Sequence, residues 1–238
     1  VQTCALPIFL VPTTMLSQAD SCIGGKTGIN FKNKKNLLGT FYPPKRILVC
    51  FDFLPSLPVS EILSGIGEIY KFHVLQGKIS EFHSDFNDPA LWEKYIYDGL
   101  KYKTSILHLD EFDKKERKYL NFGHTFGHAM ESVSGYTIPH GVAVAIGVLV
   151  AMEISSVVLG KTKDHDQIIE SGKRLVLSNG RVKRECFDFG LLLPIIKSDK
   201  KNDGQIKMVL IGDNGPVLKA IDSLEMMSDC CSKVYESF

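Results

Sequence analysis

The chain changes character at Leu54-Pro-Ser-Leu-Pro58, and that change limits what it can fold into. Before it, short apolar runs alternate with glycine and proline breaks. Residues 9–12 and 47–51 read as short strands, and Thr13-Thr14 can cap a helical stretch at 15–20. After it, apolar residues recur with helical periodicity, and strands are not expected again until 205–211. Ser60 opens a helix with Glu61 in its first turn and Ile62, Leu63, Ile66 and Ile69 on its buried side. Further helices are predicted at 92–109, 142–159, 164–177 and 187–196, with a last helix or tail at 222–238. Such a pattern predicts an α+β chain whose larger part, 57–238, is mostly helical.

Composition narrows the function classes. The 238 residues are 44% hydrophobic with a formal net charge of +1, so a buried core is affordable and neither nucleic acid nor a membrane surface is favoured as a partner. The longest apolar stretch, about 141–158, is interrupted by Glu153 and serines and is not read as a membrane span. Six cysteines without CxxC spacing suggest reduced thiols and a cytoplasmic protein. Residues 1–8 lack a signal peptide's pattern, resemble the translation of a sequencing-adapter oligonucleotide, and are set aside from fold reasoning. The expectation is that native chain continued upstream of Phe9.

Three stretches carry chemistry. Leu120-Asn-Phe-Gly-His-Thr-Phe-Gly-His-Ala-Met-Glu131 reads as helical and sets His124 and His128 four residues apart, on one helical face. With His140 and a carboxylate the pair suggests a metal site; the alternative is a helix whose histidines cap, pair or pack. Asp20-Ser-Cys-Ile-Gly-Gly-Lys-Thr-Gly28 could hold an anion on backbone amides and Lys26, or be a plain glycine turn; Asp20 stands where a P-loop needs glycine. Glu68 and Lys71 are either a solvated i,i+3 pair or, given the apolar neighbours Ile66 and Ile69, a buried carboxylate that needs a lysine or metal partner. The charge-dense 110–118 reads as a solvated turn.

Taken together, Pro12-Thr-Thr14, Asp20 with Gly24-Gly-Lys-Thr-Gly28, Lys35-Asn36, Glu68-Ile-Tyr-Lys71, Leu120–His128, His140-Gly141 and Asp199-Lys-Lys201 resemble, in order, the 3-dehydroquinate synthases. The resemblance covers about 11–212. It implies a metal- and substrate-binding helical domain at 57–238 preceded by a remnant, 9–56, of an α/β dinucleotide-binding domain. It also implies Glu68, His124 and His140 as ligands of a divalent metal, zinc or cobalt, with His128 facing substrate instead. Lys71, Asp20, Asn121 and His128 would be catalytic. Lys26, Asn36, Lys103, Asp113, Arg117, Lys200 and Lys201 would hold substrate, and Asp20, Gly24, Gly25, Lys26 and Lys35 would approach NAD.

The implied reaction converts 3-deoxy-arabino-heptulosonate 7-phosphate to 3-dehydroquinate and phosphate, with NAD transiently reduced and regenerated, in a homodimer. Three positions depart from the family pattern: Asp113 stands for Glu, Lys115 for Gly and Val142 for Glu. They leave open a related cyclase acting on another sugar phosphate. A metal- and NAD-dependent polyol or alcohol dehydrogenase and a noncatalytic binding module are the further alternatives. The family's glycine-rich NAD turn should precede Pro12, and residues 1–12 hold no glycine. The isolated chain is therefore expected to bind metal weakly or moderately and not to turn over.

Overall fold

The computed structural model describes residues 7–31, 34–83, 88–180, 182–198 and 205–238, with the side chains of 30, 31 and 34–37 left aside. The amino-terminal part holds four strands. β1 (Phe9–Leu10) pairs in parallel with β4 (Arg46–Ile47), while β2 (Lys26–Phe31) and β3 (Lys34–Phe41) form an antiparallel hairpin in which Thr27 faces Thr40 and Ile29 faces Leu38. No strand was expected here, where the sequence reads 20–28 as an anion-holding stretch or a plain glycine turn. Its lysines and glycines give no apolar alternation, and the pairing is fixed instead by backbone bonds and by Thr27 Oγ1 contacting the Thr40 backbone.

Thr14 and Ser17 cap one another reciprocally, Ser17 N donating to Thr14 Oγ1 at 3.2 Å and Thr14 N to Ser17 Oγ at 3.1 Å. The following turn, Ser17–Ser21, is π-helical, closed by Cys22 N on Ser17 O at 3.0 Å. Met15 and Ala19 on this segment are fully buried and share one core with the helices.

The helical body starts with α1 (Val59–Leu75), buried without a break from Ile62 onward, and α2 (Pro89–Leu109), whose N-cap Asp88 accepts from Ala90 N at 2.9 Å. α3 (His124–Val133) is shorter than the sequence suggests. The stretch before it, Glu116–Asn121, is a 3-10 turn, and Gly123 at φ 78° breaks the path in a backbone region that side-chain-bearing residues avoid.

α4 (His140–Leu159) is the central element, touched by α1 and α3 and also by α5 (His165–Ser178), β5 (Ile206–Gly212) and α7 (Leu224–Glu236). Between them lie α6 (Phe189–Ser198) and, pairing with β5, β6 (Gly215–Ile221), a strand the sequence pattern does not announce. α4 is long and apolar enough to cross a membrane by length and mean hydropathy, 2.4, but 78% of that window is buried inside the protein, as in a core helix. It is apolar all round because neighbours cover it on every side: 142–152 lie at 0% exposure wherever the residue is apolar. Its polar interruptions have partners. Ser155 Oγ accepts Ile211 N of β5 at 3.0 Å, and Glu153 takes Lys233 of α7 at 2.5 Å and His165 of α5 at 3.5 Å.

Candidate metal centre

Three helices meet at one carboxylate. Glu68 sits in the middle of α1 at 0% exposure, whereas His124 and His140 are the first residues of α3 and α4. The approach depends on missing side chains. A Cβ on Gly67 would stand 2.0 Å from Gly141 O, and one on Gly141 would stand 1.9 Å from Ser64 O. α1 and the start of α4 thus cross at backbone contact, directly beside Glu68 and His140.

Glu68 divides its two oxygens. Oε1 lies 3.3 Å from His124 Nε2 and 3.0 Å from His140 Nε2, while Oε2 pairs with Lys71, itself 1% exposed. The solvated-pair alternative for Glu68 and Lys71 is thereby excluded, because both ends are buried. Burial by itself would raise the Glu68 carboxyl, but Lys71 and the two histidines outweigh it and hold the group well below the usual carboxylate range.

The far nitrogen of each histidine is also tied down. His124 Nδ1 faces Phe122 O at 3.1 Å, an oxygen that can only accept, so a hydrogen held there would free the Nε2 lone pair for a metal. Burial lowers the basicity of His124, with Lys71 adding to the effect against the pull of Glu68. His140 behaves oppositely. Burial opposes its charge, yet Glu131 at 3.2 Å from Nδ1 and Glu68 at Nε2 raise it to about 9. Charged His140 carries an N–H on each ring nitrogen, Nδ1 donating to Glu131 and Nε2 to Glu68.

The donor set fits a divalent metal. One carboxylate oxygen and two imidazole nitrogens lie within 4.8 Å of one another. Ligands around a tetrahedral zinc, at about 2.0–2.2 Å each, stand roughly 3.4 Å apart, close to the two separations observed here. His128 joins from the side, its ring centroid 5.1 Å from that of His124 and 6.0 Å from that of His140, and forms a second donor group with Glu131 and His140. Two imidazoles at i,i+4 are thus neighbours, but the carboxylate on α1 converges with His124 and His140.

A second set of expected residues is joined across the amino-terminal loops. Lys103 of α2, 7% exposed, reaches Asp20 through both its Oδ1 at 2.9 Å and its backbone oxygen at 2.6 Å. Arg117 is 3% exposed and donates to Gly24 O at 2.8 Å and to Glu111 O. Lys26 pairs with Asp113 at 2.5 Å. Asn121 Nδ2 donates to Lys118 O at 3.1 Å.

The paired glycines have a local reason as well: Gly24 and Gly25 both have positive φ, and a Cβ on Gly24 would meet the Arg117 guanidinium at 2.5 Å. The side chains of Lys35 and Asn36, and all of Lys200 and Lys201, lie outside the described residues.

The segment 110–118 is the exposed turn its charge density suggests at residues 111, 112, 114 and 115, but it buries Asp110 and Arg117. Asp110, 8% exposed, accepts the backbone N–H groups of Lys114, Lys115 and Arg117 at 2.9, 2.6 and 3.1 Å. Burial acts to raise this carboxyl, and the three bonds together with Arg117 override it and hold the group below its ordinary value. Sequence reasoning missed Asp110 and Glu131. A signal existed for the latter, since His124, His128 and Glu131 are spaced 4 and 3 apart and so share one face of α3.

Comparison with known proteins identifies the family. Residues 65–202 match the profile of the 3-dehydroquinate synthase C-terminal region, and residues 5–64 match that of the N-terminal region. A 3-dehydroquinate synthase of Staphylococcus saprophyticus is 38% identical over 238 residues, covering 96% of this chain and 64% of its own length. The chain therefore spans just under two thirds of that relative.

Among solved structures, 2-deoxy-scyllo-inosose synthase complexed with carbaglucose-6-phosphate, NAD+ and Co2+ superposes with a TM-score of 0.83 at 25% identity, covering 96% of this chain and 66% of that one. A 2-epi-5-epi-valiolone synthase from Streptomyces hygroscopicus subsp. jinggangensis, with NAD+ and Zn2+ bound, shares the fold at a TM-score of 0.79 and 23% identity, covering 98% and 67%. A matching profile over more than half the residues places the chain in the 3-dehydroquinate synthase family.

Proposed function

We propose that this chain is the metal- and substrate-binding part of a 3-dehydroquinate synthase, a carbon–oxygen lyase converting 3-deoxy-arabino-heptulosonate 7-phosphate to 3-dehydroquinate and phosphate. The convergence of Glu68, His124 and His140 in a chain of this family is the observation that supports it most. These three residues would hold a divalent ion, zinc or cobalt, which when bound polarises substrate oxygens as a Lewis acid. NAD would supply reversible hydride transfer. We assign its contacts to Asp20, Gly24, Gly25, Lys26 and Lys35, in a part, 9–56, that belongs to the dinucleotide-binding half.

The chain's own residues have distinct tasks. Lys71, a buried cation against Glu68, would hold a proton at Nζ beside the reacting oxygens, and Asp20, Asn121 and His128 would orient hydroxyls and the phosphate. Lys103 and Arg117 would face the substrate carboxylate; in the structure they are occupied by Asp20 and by Gly24 O, so the carboxylate would compete with those partners. Lys26, Asn36, Lys200 and Lys201 supply charge and polar contacts for phosphate, and Asp113, paired with Lys26, sets how far that lysine is held. The working enzyme would be a cytoplasmic homodimer, and the 238 residues by themselves would not turn over.

A chimera that continues the amino-terminal third of the Staphylococcus saprophyticus relative into this chain tests the reading. With zinc and NAD it should release phosphate from the heptulosonate phosphate without net NADH. NADH accumulating from a polyol, with no phosphate released, would replace it by the dehydrogenase alternative.

A further inference from the structure

Glu131 is a buried carboxylate with no role in the reaction just described. It stands in the last turns of α3 at 6% exposure, and its Oε1 lies 3.2 Å from His140 Nδ1, on the side of the ring opposite Glu68. His140 is the first residue of α4 and, with a ring about one quarter exposed, is the least enclosed of the three donors; Glu68 is fully buried and His124 is about one seventh exposed. Packing therefore encloses its ring the least. An imidazole presents either nitrogen, and which one is left with a lone pair depends on where the other places its hydrogen.

We propose that Glu131 is a positioning residue that accepts the Nδ1 hydrogen of His140 and so fixes both the ring plane and the choice of Nε2 as the metal-facing atom. His124 receives the same service from a backbone carbonyl, Phe122 O. The site thus orients one histidine through the main chain and the other through a carboxylate carried by α3. This couples the α3 and α4 halves of the site: the helix that brings His124 also aims His140. Outer carboxylates of this kind are generally worth 10–100-fold in metal affinity. The inference rests on the metal reading above and adds a residue to it.

The test uses the 238-residue chain and zinc itself. Zinc affinity is measured by competition with a chromophoric chelator for the unsubstituted chain, for Glu131→Leu, which keeps the bulk and removes the acceptor, and for Glu131→Gln, which restores an acceptor oxygen. The d–d spectrum of the cobalt-loaded forms reports the ligand geometry directly. Expected are a 10–100-fold loss for Glu131→Leu, an intermediate value for Glu131→Gln, and a changed cobalt spectrum for Glu131→Leu alone. Unchanged affinity in Glu131→Leu overturns the proposal, as does an equal loss in both variants, which would mean that packing matters and not the hydrogen bond. An unsubstituted chain that takes up no zinc overturns the metal reading itself and this proposal with it, whereas zinc bound equally by all three chains overturns only the role of Glu131.

Discussion

Replacing Gly67 by alanine should separate the metal ligands without touching any of them. The added Cβ would lie 2.0 Å from Gly141 O, and real Cβ contacts begin at 3.0–3.4 Å, so α1 and the start of α4 must part by about 1.0–1.4 Å. Glu68 follows Gly67 directly and His140 precedes Gly141, so most of that displacement reaches the 3.0 Å separation between Glu68 Oε1 and His140 Nε2. A metal site tolerates only about 0.2 Å in its ligand distances. Zinc affinity should therefore fall by two orders of magnitude or more, while overpacking costs about 1–3 kcal/mol of stability. Chelator competition and urea unfolding measure the two effects on one sample. A Gly67→Ala chain with native zinc affinity and a native unfolding midpoint would refute the idea that this helix crossing positions the site.

Two further predictions concern the scaffold. Asp110 is held below its ordinary carboxylate value when folded, so the stability it contributes is complete above the value it has when unfolded and is lost as the pH falls through the folded one. Asp110→Asn should lower the urea midpoint at pH 7 and flatten its decline between pH 5 and pH 3; an acid limb as steep as before would contradict this. Met15, at 0% exposure and packed on Gly65, ties the amino-terminal segment to α1, and Met15→Ala should cost about 2–5 kcal/mol, with a loss under about 1 kcal/mol counting against a shared core.

The sequence makes the helical body legible because α1, α2 and α5 repeat apolar residues at a helix's spacing and α4 is one long apolar run. The β2–β3 hairpin escapes because its lysines, glycines and threonines show no apolar alternation, and β6 because Gly215-Pro-Val-Leu-Lys-Ala-Ile221 opens on glycine and proline and runs its apolar residues together. At the site, Glu68 and Lys71 announce themselves through a charge set in an apolar stretch. The convergence of Glu68 with His124 and His140 follows from no local spacing, since it joins α1, α3 and α4 across 72 residues. What closes that distance is the glycine contact between Gly67 and Gly141, and a pair of isolated glycines in sequence gives no hint of it. Asp110 was hidden by its charged neighbours, which mask a carboxylate turned inward onto backbone amides.

Zinc content after equilibrium dialysis tests the centre most directly, read for the unsubstituted chain, Glu68→Ala and His140→Ala. The account predicts one zinc per chain, lost in both variants with the fold retained. Unchanged zinc in both variants would contradict it.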